Sequence, residues 1–188
     1  MQAAERDLAL QHLHESRRRL LETVQGLSPE QRSFRPAVDC WSVTDCVEHI
    51  TIVEHFVLDS IDRVLQAPPE PEKQAETVGK DQVIQERVPA RNFRVKGPAA
   101  VMPTGRWPEF TMLLEQFETA RNRSIQFTSG TEADLRNHFF PHPFLGQFDC
   151  YQWLLFIGTH CERHVRQMEE VLGAAEPSRD RKGAVPSF

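Results

Sequence analysis

The chain has 188 residues, of which 39% are hydrophobic and 26% charged, with a formal net charge of -5. That length suits one domain with a substantial core, and the composition excludes the disordered and fibrous classes. The acidic balance argues against a surface built for phosphate backbones, which needs clustered Lys and Arg. No apolar run approaches the ~20 residues of a membrane-spanning helix.

The first residues, MQAAERDLALQHLHESRRRL, lack the apolar stretch and cleavage site of a secretory signal. Glu5, Asp7 and Glu15 are also unlike a transit peptide, so the expected location is the cytoplasm, with neither nucleic acid nor membrane as partner. Leu8, Leu13, Leu20, Leu21 and Val24 recur among charges over residues 3–25, which predicts a first helix stopped by Gly26. Arg17, Arg18 and Arg19 read as its solvated face. Ser28 as N-cap and Pro29 at the first helical position predict a short turn of helix, ended by Pro36.

Ser42 followed by Asp45 resembles a capping box. The apolar line Val43, Cys46, Val47, Ile50, Val53, Val57, Ile61 and Val64 then predicts a second helix, with Pro68 and Pro69 as its limit. His49 lies in that line. Residues 67–106 hold six prolines and three glycines, which exclude a long helix and read as a long loop, a lid or a linker. A short extended piece fits FRVKG at 93–97. Pro108 opens a third helix whose inner face is Phe110, Leu113, Leu114, Phe117 and Ala120, running to about Ser129. A turn-rich connection follows over 131–147. Asp149 caps a fourth helix with the core line Trp153, Leu154, Ile157, His160, His164, Met168 and Leu172, ended by Gly173. Four amphipathic helices without strands between them imply an all-α four-helix bundle over residues 1–173, followed by a tail at 174–188 expected to be disordered. Cys40, Cys46, Cys150 and Cys161 form no Cys-x-x-Cys pair and read as reduced, core-filling thiols.

Three histidines stand where leucines belong. His160 and His164 are one helical turn apart, so they project from one side. His49 would face them from another helix. An unpartnered buried polar group costs about 1–3 kcal/mol, and a shared divalent ion would offset that cost for all three at once. Three imidazoles with one open coordination position describe a catalytic site, although imidazole suits zinc, nickel, iron and copper alike. The remaining histidines fit the pattern less well. His12 and His14 sit on the polar first helix, and His55 points away from the His49 face. His138 and His142 belong to the loop before the fourth helix, where His142 could line a pocket mouth but reads rather as a turn residue.

The stretch LSPEQRSFRPAVDCWSVTDCVEHI resembles the first signature of the DinB-like family, a Trp-Ser-hydrophobic triplet ahead of a helix bearing one His. HPFLGQFDCYQWLLFIGTHCERHVRQMEEV resembles the second: His-Pro, Leu-Gly, then a helix with His-x-x-x-His followed by Gln. The resemblance spans residues 5–173 and implies a DinB/YfiT-like four-helix bundle, with His49, His160 and His164 as ligands of a divalent metal. It points to zinc or nickel, with iron or manganese as further candidates. It also implies a small-molecule substrate, with thiol-dependent transfer (bacillithiol or mycothiol chemistry) or metal-assisted hydrolysis as the reaction, and a homodimer. The other class open to this sequence is a non-catalytic metal-binding bundle, a sensor or interaction module. An open coordination position distinguishes the first from the second. Glu48, Glu54 and Glu162 share the ligand-bearing helices without clearly facing the metal, which leaves open a supporting role for one of them, and Trp41 and the 67–106 loop could wall the pocket. Gln167 could orient a ligand but reads rather as a surface residue.

Overall fold

The computed structural model describes residues 1–92 and 97–175. Helix α1 (Ala3–Val24) stops just before Gly26, whose φ of 71° is a left-handed conformation that glycine adopts without strain. Helix α2 (Pro29–Ser33) is one short turn, with the Ser28 hydroxyl accepting from the Gln31 amide at 3.3 Å. Helix α3 (Val43–Val64) starts with the predicted capping box. The Asp45 amide donates to the Ser42 hydroxyl at 3.2 Å, and the Asp45 carboxylate accepts from the Ser42 amide at 2.7 Å.

Residues 67–106 are not a plain loop. They contain a 3-10 turn at Pro71–Glu76, the helix α4 (Lys80–Arg87) and a second 3-10 turn at Ala99–Val101. Helix α4 buries Ile84 and packs on the last long helix, so its stability is tertiary rather than local. The extended piece expected over 93–97 falls almost wholly outside the described residues, as does the tail from 176 on.

Helix α5 (Phe110–Gly130) buries Leu113, Phe117 and Ala120 as expected, and with them Arg121, Ser124 and Thr128. The connection after it is a second departure from expectation. Strands β1 (Phe139–His142) and β2 (Gly146–Asp149) pair antiparallel, with Phe140 opposite Phe148 and His142 opposite Gly146. Phe140 stacks on Trp153 at 4.3 Å, and the Trp153 indole donates to the Phe140 carbonyl at 3.0 Å. Helix α6 (Cys150–Ala175) begins immediately, capped reciprocally by Asp149 and Gln152, and runs two residues past Gly173.

Helices α1 and α3 each pack on both α5 and α6, which puts α1 and α3 at opposite corners of a four-helix bundle. Helices α1 and α6 come close at Gly158, where an added Cβ would lie 2.7 Å from the His12 Cβ and 2.9 Å from its carbonyl carbon. Arg121, fully buried, ties three of the helices together. It pairs bidentately with Glu54 at 2.8 and 2.9 Å and donates to the Leu13 carbonyl at 2.7 Å and the Ser16 hydroxyl at 2.8 Å. Ser124 adds a 2.6 Å bond to Glu54. Among the described residues no helix is long and apolar enough to cross a membrane. Cys46, Cys150 and Cys161 are buried and Cys40 half-buried, all as free thiols, and burial raises the pKa of the first three.

Candidate metal centre

Helices α3 and α6 pack directly against each other, and the three predicted histidines meet on that seam. The Nε2 of His160 lies 3.2 Å from the Nε2 of His49 and 3.1 Å from the Nε2 of His164. Among the described residues no fourth His, Cys, Asp or Glu joins this group. His49 and His164 are buried, at 5% and 6% exposure, while His160 is half-buried.

Protonation decides what the group can hold. The Nδ1 of His49 sits 2.7 Å from the Val101 carbonyl oxygen, and the Nδ1 of His164 sits 2.9 Å from the Gln167 Oε1. Both oxygens only accept, so both Nδ1 atoms carry the proton and both Nε2 atoms present lone pairs. His160 has at most one Nε2 proton to offer its two neighbours. Three nitrogens this close with so few protons repel one another unless a cation sits among them. Two of the three spacings also fit one: ligands at the usual ~2.0–2.1 Å from a tetrahedral zinc stand about 3.3 Å apart, and all three ligating atoms lie within 4.8 Å of one another. Burial also opposes protonation of the rings: it lowers the pKa of His49 to about 4 and those of His160 and His164 well below the ordinary imidazole value.

The oxygens that orient the rings are themselves held. Glu48 accepts from the backbone amides of Thr104, Gly105 and Arg106 at 2.9 to 3.0 Å, which pins the segment carrying Val101. Arg91 donates to the Gln167 Oε1 at 3.1 Å and pairs with Glu170 at 2.8 and 3.1 Å. Gln167 is therefore an orienting residue, not the surface residue its position suggests. The other glutamates serve elsewhere: Glu54 pairs with Arg121, and Glu162 with Arg19 and Arg166.

Aromatic rings wall the group. Trp41 lies 4.8 Å from His49 and stacks on His164 at 5.7 Å, while Phe156 stacks on His160 at 4.9 Å. His142, expected as a turn residue, does accept the turn amides of Phe144 and Leu145 at 3.2 Å each, yet its ring also packs 4.9 Å from Phe156. His138 is structural, lying within 2.8 and 3.0 Å of the Asp134 and Ala67 carbonyls. His14 is exposed, and His12 and His55 are half-buried away from the group. The hollow of about 540 Å³ between α1 and α5, lined by Leu21, Leu27, Phe110 and Leu114, lies apart from the imidazoles.

Comparison with known proteins agrees with this architecture. The chain is 24% identical over 160 residues to an uncharacterized protein, YuaE, of Bacillus subtilis, covering 84% of this chain and 93% of that one. The fold is similar to the crystal structure of TT2238, a four-helix bundle protein, with a TM-score of 0.55 and 22% identity over 88% of this chain and 98% of that one. It is also similar to YfiT from Bacillus subtilis, described as a probable metal-dependent hydrolase with an unusual four-helix bundle topology. There the TM-score is 0.58 and the identity 16%, over 91% of this chain and 87% of YfiT. A family model for the DinB superfamily matches residues 12–168, from within α1 to within α6, and so takes in all three imidazoles. The chain belongs to the DinB superfamily.

Proposed function

We propose that this protein is a metal-dependent hydrolase of a small molecule, with His49, His160 and His164 as the ligands of one divalent cation. The observation that carries the reading is the convergence of three Nε2 atoms at 3.1 and 3.2 Å, two of them made lone-pair donors by oxygens bound at Nδ1. Held by His49, His160 and His164, a divalent ion would supply Lewis acidity, the chemistry that polarises a substrate oxygen or activates a nucleophile at neutral pH.

The chain's own residues do the rest. Val101 and Gln167 fix the ring orientations, as oxygens bound to the far nitrogen of metal-ligating imidazoles do. Trp41 and Phe156 exclude water from two sides. Three neutral ligands leave the cation's full charge for the substrate. The borderline donor set favours zinc or nickel, with iron or manganese as further candidates. The absence of a fourth ligating side chain among the described residues favours an open coordination position, and hence catalysis over a closed sensor site. The likeness to YfiT favours hydrolysis over thiol transfer.

Elemental analysis of the purified chain tests this reading. One divalent ion per chain is expected, falling below a tenth in His49→Ala and His160→Ala while circular dichroism stays helical. Ester or amide hydrolysis in a substrate panel should vanish with a chelator and return with metal. Unchanged metal content in both variants contradicts the ligand assignment, and chelator-insensitive hydrolysis contradicts the activity.

A further inference from the structure

The stretch that steers His49 is held to the bundle at few points. Of residues 97–106 Val101 alone is buried, and most of the others are exposed. Its internal bonds are those of one 3-10 turn, with the Val101 and Met102 amides donating to the Pro98 and Ala99 carbonyls at 3.1 and 3.2 Å, and of the Arg106 guanidinium on the Ala100 carbonyl at 3.2 Å. Among the described residues its hydrogen bonds to the rest of the chain go to two consecutive residues of α3. The Glu48 carboxylate takes the amides of Thr104, Gly105 and Arg106, and the His49 Nδ1 proton goes to the Val101 carbonyl at 2.7 Å. The backbone also runs along that ring: a Cβ at Gly97 would stand 3.9 Å from the His49 Cε1, the carbon between the two nitrogens. A stretch with one buried side chain and two anchors opens locally with little loss of free energy.

One of those anchors is itself a ligand. His49 is bound by the stretch at Nδ1 and would be bound by the cation at Nε2, and the two bonds reinforce each other. A cation at Nε2 draws electron density from the ring, which makes the Nδ1 proton a stronger donor, and hydrogen bonds with a charged partner are roughly twice as strong as neutral ones. The carbonyl at Nδ1 in turn makes Nε2 a better ligand. Without a cation, Nε2 atoms at 3.1 and 3.2 Å crowd one another, and turning His49 away relieves the crowding only by giving up Val101. Both rings that carry an oxygen at Nδ1 are reached from the connection between α4 and α5: His49 directly by Val101, and His164 through Gln167, which accepts from Arg91 at 3.1 Å.

We infer that residues 97–106 form a metal-dependent clasp: occupancy of the three imidazoles and docking of this stretch are linked, each holding the other in place. The inference rests on the metal reading above and deepens it by naming what regulates the centre. Such linkage is reciprocal, so the factor by which docking tightens metal binding is also the factor by which the metal favours docking. Coupled sites commonly reach about 5- to 150-fold. The metal-free chain is then distinguished by an open clasp on an otherwise intact bundle, since α1, α5 and the Arg121–Glu54 pair take no part in the coupling.

Hydrogen exchange read by mass spectrometry on the full chain, with zinc and after its removal by a chelator, measures docking directly. Over labelling times in which α5 stays protected in both forms, the amides of residues 99–106 should exchange at least tenfold faster without zinc. Equal rates in a chain that does bind zinc overturn the clasp alone. Loss of protection in α5 at the same pace overturns it too, because the bundle would then loosen as a whole. In His160→Ala, which lacks a ligand but touches no part of the stretch, added zinc should leave the rates unchanged. Protection by zinc that persists in this variant places the effect outside the three imidazoles and overturns the linkage. The wild-type comparison decides the matter even if His160→Ala fails to fold. If wild type binds no zinc at all, the metal reading falls and takes this inference with it.

Discussion

His49 donates its Nδ1 proton to the main-chain oxygen of Val101 at 2.7 Å, and the residue beside it, Glu48, clamps the same segment through three backbone amides. A ligand and the anchor of its orienting group are thus adjacent in sequence. They point to opposite ends of one short loop. Replacing Glu48 with Gln turns an acceptor-only carboxylate into an amide with two donors, one of which must face backbone N–H groups. Metal affinity should fall about 10- to 100-fold, the range for groups that orient ligands. Competition with a chelator of known affinity measures it, and an unchanged constant would show that the loop holds Val101 without Glu48.

Gln167 should behave similarly for His164. In Gln167→Leu the imidazole loses its oxygen and Arg91 loses one acceptor while keeping Glu170. Metal binding should weaken by a similar factor, with little change in thermal stability. A large drop in melting temperature with intact metal affinity would recast Gln167 as purely structural.

The Arg121–Glu54 pair carries stability rather than chemistry. Either single replacement, Arg121→Met or Glu54→Leu, leaves the other charge buried and should cost about 3–5 kcal/mol, whereas the double replacement should recover much of that loss. Urea unfolding of the three variants gives the comparison. Additive losses in the double variant would refute the coupling.

Gly158→Ala places a methyl group against His12, whose nearest atoms would stand only 2.7 to 3.0 Å from the new Cβ. Helix propensity alone predicts a gain of about 1 kcal/mol. Overpacking between α1 and α6 should reverse the sign and destabilise by about 1–3 kcal/mol. Chemical denaturation reads the sign directly, and a stabilised variant would mean that the two helices can part without cost.

The metal-free protein should lose stability as pH falls. Unfolded imidazoles take up protons near 6.5, whereas folded His49 does so only at about 4, and burial holds His160 and His164 well below the ordinary imidazole value too. The unfolded state therefore binds more protons below 6.5, and each of the three histidines removes about 1.4 kcal/mol per pH unit from there down to its folded pKa. Melting temperatures in chelator at pH 7.5, 6 and 5 test this. His160→Phe should flatten the slope, and an identical slope in that variant would place the sensitivity elsewhere.

The sequence exposes the long helices because each carries a 3.6-residue apolar rhythm and most carry a cap, Ser42 with Asp45 being the clearest. It exposes the ligands because His160 and His164 share a face and His49 interrupts an apolar line. What it hides is made by contacts between distant segments. The rhythm of α4 is weak, with Ile84 its one buried residue, and its place is decided by α6. Prolines 141 and 143 conceal the hairpin, whose pairing closes only when Phe140 meets Trp153. Nothing around Arg121 in the sequence marks it as buried, because its partner Glu54 arrives from another helix. For Gln167 a signal does exist, three residues after His164, but an amide at that spacing is common on helix surfaces.

Every amino acid carries a carbonyl oxygen, so the acceptor that steers His49 does not depend on which side chain occupies position 101. Side chains there can be exchanged while the imidazole keeps its heading, so long as the segment's length and its tether survive. Ring orientation and side-chain identity are thereby assigned to different atoms of the same stretch, so the heading of His49 tolerates substitution at position 101.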